Sequence, residues 1–224
     1  MRRPSKTLAK TLLAAALVLA VGAAAAVAPS PFTTPALAQN SARNAAAEQF
    51  VQTQAQRALT ILSQNRGDTA TEKRLFREFI DQVADVPRIT YFVLGKYNRT
   101  ISPAQRQDFA TVFREYASNV YESRLNEYHG ETLKVTGSVA RSPTDVIVQS
   151  QVSGGKLDQP VTVSWRVIAE GGGWRVVDVQ VDGVWLAITQ QQDFVSTIDN
   201  AGGNVQVLID QLKRQVAKDE AASR

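Results

Sequence analysis

The chain has 224 residues, no cysteine, one histidine and a formal charge of +4, from 25 Lys and Arg against 21 Asp and Glu. The absence of cysteine excludes disulfides, thiolate metal sites and thiol nucleophiles. The positive charge is concentrated at the start: Arg2, Arg3, Lys6 and Lys10 fall within the first 38 residues, and removing these four leaves 21 basic against 21 acidic residues. That balance lacks the basic footprint of a nucleic-acid binder and the polybasic patch of an anionic-membrane binder.

The opening segment reads as an export signal. A basic stretch precedes the uncharged Ala/Leu/Val run Leu12–Ala28, and Ala36-Leu37-Ala38 is an A-x-A cleavage site. Cleavage is expected after Ala38, which places the working domain at residues 39–224 in the periplasm of a bacterial cell. The alternative is an uncleaved anchor, for which the apolar run is at the lower edge of spanning length. Arg2-Arg3 lacks the rest of the twin-arginine pattern, so general secretory export is expected.

Helical periodicity follows. Phe50, Val51, Ala55, Ala58, Leu59 and Leu62 predict a first helix ending near Asn65-Arg66-Gly67. Thr69-Ala70-Thr71-Glu72 fits a capping box, and Leu75, Phe76, Phe79, Ile80 and Val83 form one apolar stripe behind it. Pro87 suits the first turn of a short third helix running to about Leu94 and stopped by Gly95. Ser102-Pro103-Ala104-Gln105 starts a long fourth helix, expected to end near His129-Gly130.

The period then changes to two. Leu133, Val135, Gly137 and Val139 alternate with polar residues, and Val146 and Val148 repeat the pattern. Val161, Val163, Trp165 and Val167 share a face, and Val177, Val179 and Val181 are expected on one face opposite Val176, Asp178 and Gln180. Turn residues Ser142-Pro143-Thr144-Asp145, Ser153-Gly154-Gly155 and Glu170-Gly171-Gly172-Gly173 separate them. The prediction is an antiparallel or mixed four-stranded sheet wrapped by helices on its apolar face. After Gly183, Val184 to Ile188 leads into a helix through Phe194 and Ile198. Gly202-Gly203 breaks it, and a last helix carries Val205, Leu208, Ile209, Leu212 and Val216. Helices, strands, helices make an α+β fold in a single domain.

No catalytic constellation accompanies these elements. His129 has no second imidazole or thiol to share a metal with, and its position suits the end of a helix, where a cation is favourable to the dipole. A serine hydrolase would need His129, and no G-x-S-x-G elbow is present. The glycine run at residues 170–173 joins two strands and lacks the lysine of a phosphate loop. Asp178, amid valines, is expected on the polar side of the sheet, paired with Arg166 or Arg175. No enzyme, metal or cofactor is expected. The surplus is apolar and aromatic, and composition alone does not distinguish a filled core from a hollow one.

The stretch Asp85-Val86-Pro87-Arg88-Ile89-Thr90-Tyr91-Phe92-Val93-Leu94-Gly95-Lys96-Tyr97 resembles a signature of the MlaC family, also called the toluene-tolerance family. Ser102 to Phe109 and Tyr116 to Tyr128 continue it. Trp174-Arg175-Val176-Val177-Asp178-Val179-Gln180-Val181-Asp182-Gly183-Val184-Trp185-Leu186 resembles a second signature, followed by Gln192-Asp193-Phe194. The resemblance covers residues 45 to 216. Two departures stand out: no arginine occurs in Ile188-Thr189-Gln190-Gln191-Gln192, where the family usually has one, and Trp185 replaces a small residue.

The resemblance implies an NTF2-like cone that carries phospholipid through the periplasm, between an outer-membrane lipoprotein complex and an inner-membrane ABC transporter with an MCE-domain ring. A hopanoid or another apolar ligand is the alternative cargo; a non-binding adaptor is the alternative role. The lining expected from apolar face and resemblance is Tyr91, Leu94, Phe109, Phe113, Tyr116, Val120, Val148, Trp165, Val167, Val177, Val179, Val181, Val184, Leu186, Ile188 and Phe194. Lys96 and Arg99 are expected to meet a head group or an acidic partner. The protein is expected to act as a monomer, without nucleic acid.

Overall fold

The four predicted strands form β1 (Glu131–Ser142), β2 (Asp145–Gly154), β3 (Val161–Glu170) and β4 (Gly173–Val181). This computed structural model describes residues 43–64, 69–122 and 128–222; the expected signal segment, the end of the first predicted helix at Asn65-Arg66-Gly67 and Leu125 lie outside them. The strands pair antiparallel in chain order, and a fifth, β5 (Val184–Trp185), adds to β4. The sheet therefore has five strands instead of four, because Val184 and Trp185 turn back on Val181 and Gln180 before the next helix begins. At the β3–β4 hairpin Gly171 and Gly172 have φ of +59° and +84°, the two positive angles a two-residue type I′ turn requires.

Alternation places Val146, Val148 and Ser150 opposite Val167, Trp165 and Val163 on one face. The expected alternation fails in β4. The register with β3 shifts between Arg166↔Asp178 and Val167↔Val176, leaving Val177 as the extra residue of a bulge. Val176 and Val179, not Val177, join the cluster on the sheet's apolar face.

Two helices cover that face: α1 (Ala45–Gln64) and α2 (Thr69–Val83). Ala47, Val51, Phe79 and Val83 bury against Val146, Val148, Val167 and Val176. Polar contacts fix α1 along the edge strand β1. Glu48 accepts from Ser138 Oγ at 2.7 Å; Gln52 accepts from Val135 N at 3.0 Å and donates to Leu133 O at 3.3 Å. The Gln52 amide thus supplies the donor and acceptor that a neighbouring strand would offer to an unpaired edge.

The remaining helices build a second apolar body. They are α3 (Val86–Phe92), a 3-10 turn at Gly95–Arg99, α4 (Pro103–Glu122), α5 (Leu186–Asn200) and α6 (Val205–Ala222). Asp85 caps α3 by accepting from Arg88 N at 3.0 Å, and the helix stops at Phe92, two residues short of expectation. The expected capping box at α4 forms, with Ser102 Oγ accepting from Gln105 N at 3.2 Å and Gln105 Oε1 accepting from Ser102 N at 3.4 Å. His129 does not end a helix: it lies just before β1, and its backbone N–H donates to the buried Glu131 carboxylate at 2.8 Å. Gly95, at φ +53°, lets the turn approach α5 so closely that a Cβ would fall 2.7 Å from Val195 Cγ2. Among the described residues no helix is long and apolar enough to cross a membrane.

Candidate functional site: a divided apolar interior

The interior consists of two apolar clusters that share no residue. One is the sheet face with α1 and α2. The other is α3 to α6, where Phe109, Phe113 and Phe194 meet; the Phe194 ring stands edge-on to Phe109 at 5.9 Å and to Phe113 at 5.8 Å. The expected lining residues divide between the two. Val148 and Val167 lie in the sheet cluster, with Trp165 and Val179 half-buried against it. Leu94, Phe109, Phe113 and Phe194 lie in the helical cluster, with Tyr116 half-buried against it.

Val120, Val181, Val184 and Leu186 are half-buried, and Val177 is buried at the bulge. Tyr91 and Ile188 are exposed at 36% and 39%, so neither is enclosed by the fold. Arg106 lies over the Tyr91 ring at 5.4 Å, which accounts for one face of that aromatic.

Trp165 is the informative member of this set. It sits in the middle strand of the sheet, on the helix-covered face, and is still only half-buried. Its indole N–H donates to Ser150 Oγ at 2.9 Å, and that hydroxyl donates to Val163 O at 3.0 Å. Ser150 is fully buried, so the pair satisfies polar groups in an apolar wall and fixes the ring's orientation. Phe76 and Ile80 of α2, packed against the same sheet cluster, and Tyr116 of α4, packed against the helical cluster, are likewise half-buried. Burial pushes the Tyr116 phenol above its ordinary pKa, with Asp193 and Asp219 adding to the shift.

Asp178 behaves differently from expectation. It stands opposite Arg166 in register, but Arg166 makes a two-pronged contact with Asp145, at 3.1 and 2.8 Å, and Arg175 donates to the Gln82 carbonyl. The buried Asp178 carboxylate instead accepts from Val179 N at 2.8 Å and from Ala187 N at 2.9 Å. It caps the first turn of α5 from an adjacent strand, joining the sheet to the helical body. Burial pushes its pKa up, and the backbone donors and Arg166 offset part of that shift.

Lys96 pairs with Asp199 at 2.7 Å and lies 5.2 Å from the Tyr97 ring; Tyr97 donates its hydroxyl to the same carboxylate. Arg99 is exposed at the end of the 3-10 turn. Two concavities are lined by other residues. One of about 630 Å³ runs along Gln52, Thr53, Gln56, Arg57, Thr60 and Ile61 of α1. One of about 430 Å³ lies between α2 and α4 and is rimmed by charged residues. Among the described residues no group of His, Cys, Asp or Glu is placed to hold a metal ion.

An antiparallel five-stranded sheet covered by helices on its apolar face is an α+β fold of the NTF2-like class. The description "MlaC protein" covers the family that matches residues 52–214. The toluene tolerance protein ttg2D of Pseudomonas putida is 27% identical over 129 residues, a span of 57% of this chain and 59% of that protein. A phospholipid-binding protein from Ralstonia solanacearum, solved in complex with a phospholipid, matches with a TM-score of 0.69 at 25% identity, over 79% of this chain and 99% of the other. The chain belongs to the MlaC family.

Proposed function

We propose that the protein is a non-enzymatic phospholipid carrier of the periplasm, and that acyl chains lie in the seam between the sheet cluster and the helical cluster. The observation that carries the reading is that the apolar interior is two clusters sharing no residue, with Trp165 and Val179 beside the sheet cluster and Tyr116 beside the helical cluster left half-buried. The phospholipid complex of the Ralstonia solanacearum protein, whose fold this chain shares, supports the same cargo.

The physical demand on such a carrier is simple. Exposing one methylene to water costs about 0.8 kcal/mol, so two acyl chains of roughly 30 methylenes cost on the order of 25 kcal/mol as an upper bound. An apolar seam removes most of that cost, and no proton transfer or nucleophile is required. The lining proposed from the sequence supplies both walls: Val148, Trp165, Val167 and Val179 on the sheet, and Phe113, Tyr116 and Phe194 on the helices. Export by the segment ending at Ala38 places the carrier between the two membranes. There it exchanges lipid, as a monomer, with an outer-membrane lipoprotein complex and an inner-membrane MCE-domain ABC transporter.

Native mass spectrometry of protein purified from the periplasm tests this. The expected result is a lipid-sized adduct that proves on extraction to be glycerophospholipid. A hopanoid adduct replaces the cargo. Adduct-free protein that also takes no lipid from vesicles overturns carriage.

A further inference from the structure

We propose that Tyr116 is a specificity-determining residue for the cargo: its hydroxyl donates to an ester carbonyl of the bound lipid and so favours acyl esters over lipids joined by other linkages; this rests on the carrier reading above. Other phenols already have a place. Tyr97 donates to Asp199 and Tyr128 to the Glu131 carbonyl at 3.4 Å, while Tyr91 is exposed under Arg106. Tyr116 is half-buried on α4, and among the described residues its hydroxyl has no hydrogen-bond partner.

The ring is held while the oxygen stays open to a partner. A phenol drawn into a protein ordinarily finds its hydrogen bond there. Here the ring packs against Phe194, with centroids 6.4 Å apart and planes tilted by 54°. The oxygen is not sealed off, since the enclosed side-chain polar atom without a partner among the described residues is Asn98 Oδ1. A packed ring with a reachable oxygen matches the division a lipid makes at its ester, between apolar tails and a wet head group. Phe194 belongs to the helical wall proposed for the tails, so an ester at the end of tails lying there comes within reach of the phenol.

Electrostatics select the kind of acceptor. Burial holds the phenol above its ordinary pKa, and Asp193 and Asp219 push in the same direction. The group therefore stays protonated at neutral pH and offers a hydrogen. Asp193 is exposed on α5 and forms no ion pair with a described residue, so its charge opposes a phosphate brought up to that hydrogen. An ester carbonyl is a neutral acceptor and meets no such repulsion. Lys96, the cation expected from the sequence to meet the head group, is held by Asp199 of α5.

The test is a competition. Delipidated protein is incubated with vesicles holding equal amounts of diacyl phosphatidylcholine and its dialkyl ether analogue of the same chain length, and the bound lipids are extracted and counted by mass spectrometry. The wild-type protein is expected to favour the ester about three- to tenfold, the worth of one neutral hydrogen bond. Tyr116→Phe keeps the ring against Phe194 and removes only the hydroxyl, and is expected to bring the ratio toward one with total lipid unchanged. Circular dichroism checks its fold. Infrared spectra supply a second readout: lipid carrying carbon-13 in its ester carbonyls is expected to show a lowered C=O stretching band in the wild type that is lost in Tyr116→Phe.

A ratio unmoved by Tyr116→Phe, with lipid still loaded, overturns the contact while leaving carriage intact. A wild-type ester band no lower than that of the same lipid in dry hydrocarbon does likewise, whatever the fold of the variant. Wild-type protein that loads neither lipid overturns carriage and the contact with it. An unmoved ratio with a changed phosphorus resonance of the bound lipid in Tyr116→Phe gives the hydroxyl to the phosphate and overturns the ester assignment.

Discussion

At Trp165 a polar bond and an apolar role coexist. The indole leans on the buried Ser150 hydroxyl, and the ring stays half-buried on the helix-covered face of the sheet, where the proposed seam lies. Placing a guanidinium there sets a charge against Val148 and Val179, where it cannot be solvated without opening the seam. Trp165→Arg is therefore expected to lower lipid loading at least about tenfold, more than 1.4 kcal/mol of lost affinity; a folded variant that loads like wild type would refute the residue's place in the lining. Asp178 makes the complementary case, since its work is to accept two backbone N–H groups. Asp178→Ala leaves the α5 amide without its acceptor and is expected to cost about 1–3 kcal/mol in urea denaturation. Asp178→Asn keeps a carbonyl oxygen in place and is expected to cost less. Equal losses in the two variants would argue against capping. Sequence reasoning noticed Asp178 as a carboxylate among valines but paired it with arginine, because the start of α5 is brought beside β4 only by the turn at Gly183 and the short β5.

Among the elements, α5 is anchored to both halves of the interior. Asp178 holds its first turn to the sheet, Phe194 inserts between Phe109, Phe113 and Tyr116, and Gln191 donates to the Phe92 carbonyl at 2.6 Å. Phe194 is 5% exposed, so truncation both loses burial and leaves a cavity. Phe194→Ala is expected to cost about 3–5 kcal/mol in chemical denaturation. A loss under about 1 kcal/mol would mean that the three rings collapse to fill the space. Periodicity exposed most elements of this kind directly: the α4 capping box at Ser102, the inward face of β2 and β3, and the Gly202-Gly203 break each stand where the sequence puts them. Two features escaped for physical reasons. A bulge depends on the register of two strands, so Val177 looked like its neighbours Val179 and Val181. A two-residue strand carries no alternation, so β5 read as the approach to a helix.

Across the whole molecule, charge is balanced in sum but not in place. A net of zero beyond residue 38 concealed the charged rim between α2 and α4, whose members are gathered from two helices only in the fold. The division of the core escaped for the same reason, since Val148 and Phe109 look equally apolar in sequence. Acid sensitivity is also set at this scale, by groups of opposite sign. Arg166 holds Asp145 below the ordinary aspartate range, and Arg43 does the same for Glu48. Their stabilisation is complete above the unfolded pKa of about 4 and is lost as pH falls through the lower folded values. Asp178, raised by burial, has the reverse sign: it opposes folding at neutral pH and is relieved as protons bind on the way down to about pH 4. Stability followed by denaturant midpoint is therefore expected to hold or rise from neutral pH to about pH 5 and to fall below about pH 4. Asp145→Asn is expected to flatten the acid limb, and an unchanged limb would count against the Arg166 pair as its source.

The contact of Gln52 with β1 bears on life in a crowded compartment. A carboxamide is a small copy of a peptide group, and here it occupies the rim of the sheet that another polypeptide would otherwise extend. Gln52→Ala removes that stopper, freeing the Val135 N–H and Leu133 C=O for a second molecule. Light scattering at high protein concentration is expected to show self-association in this variant and none in the parent. For the carrier proposed above, such a border keeps one molecule from sticking to its copies.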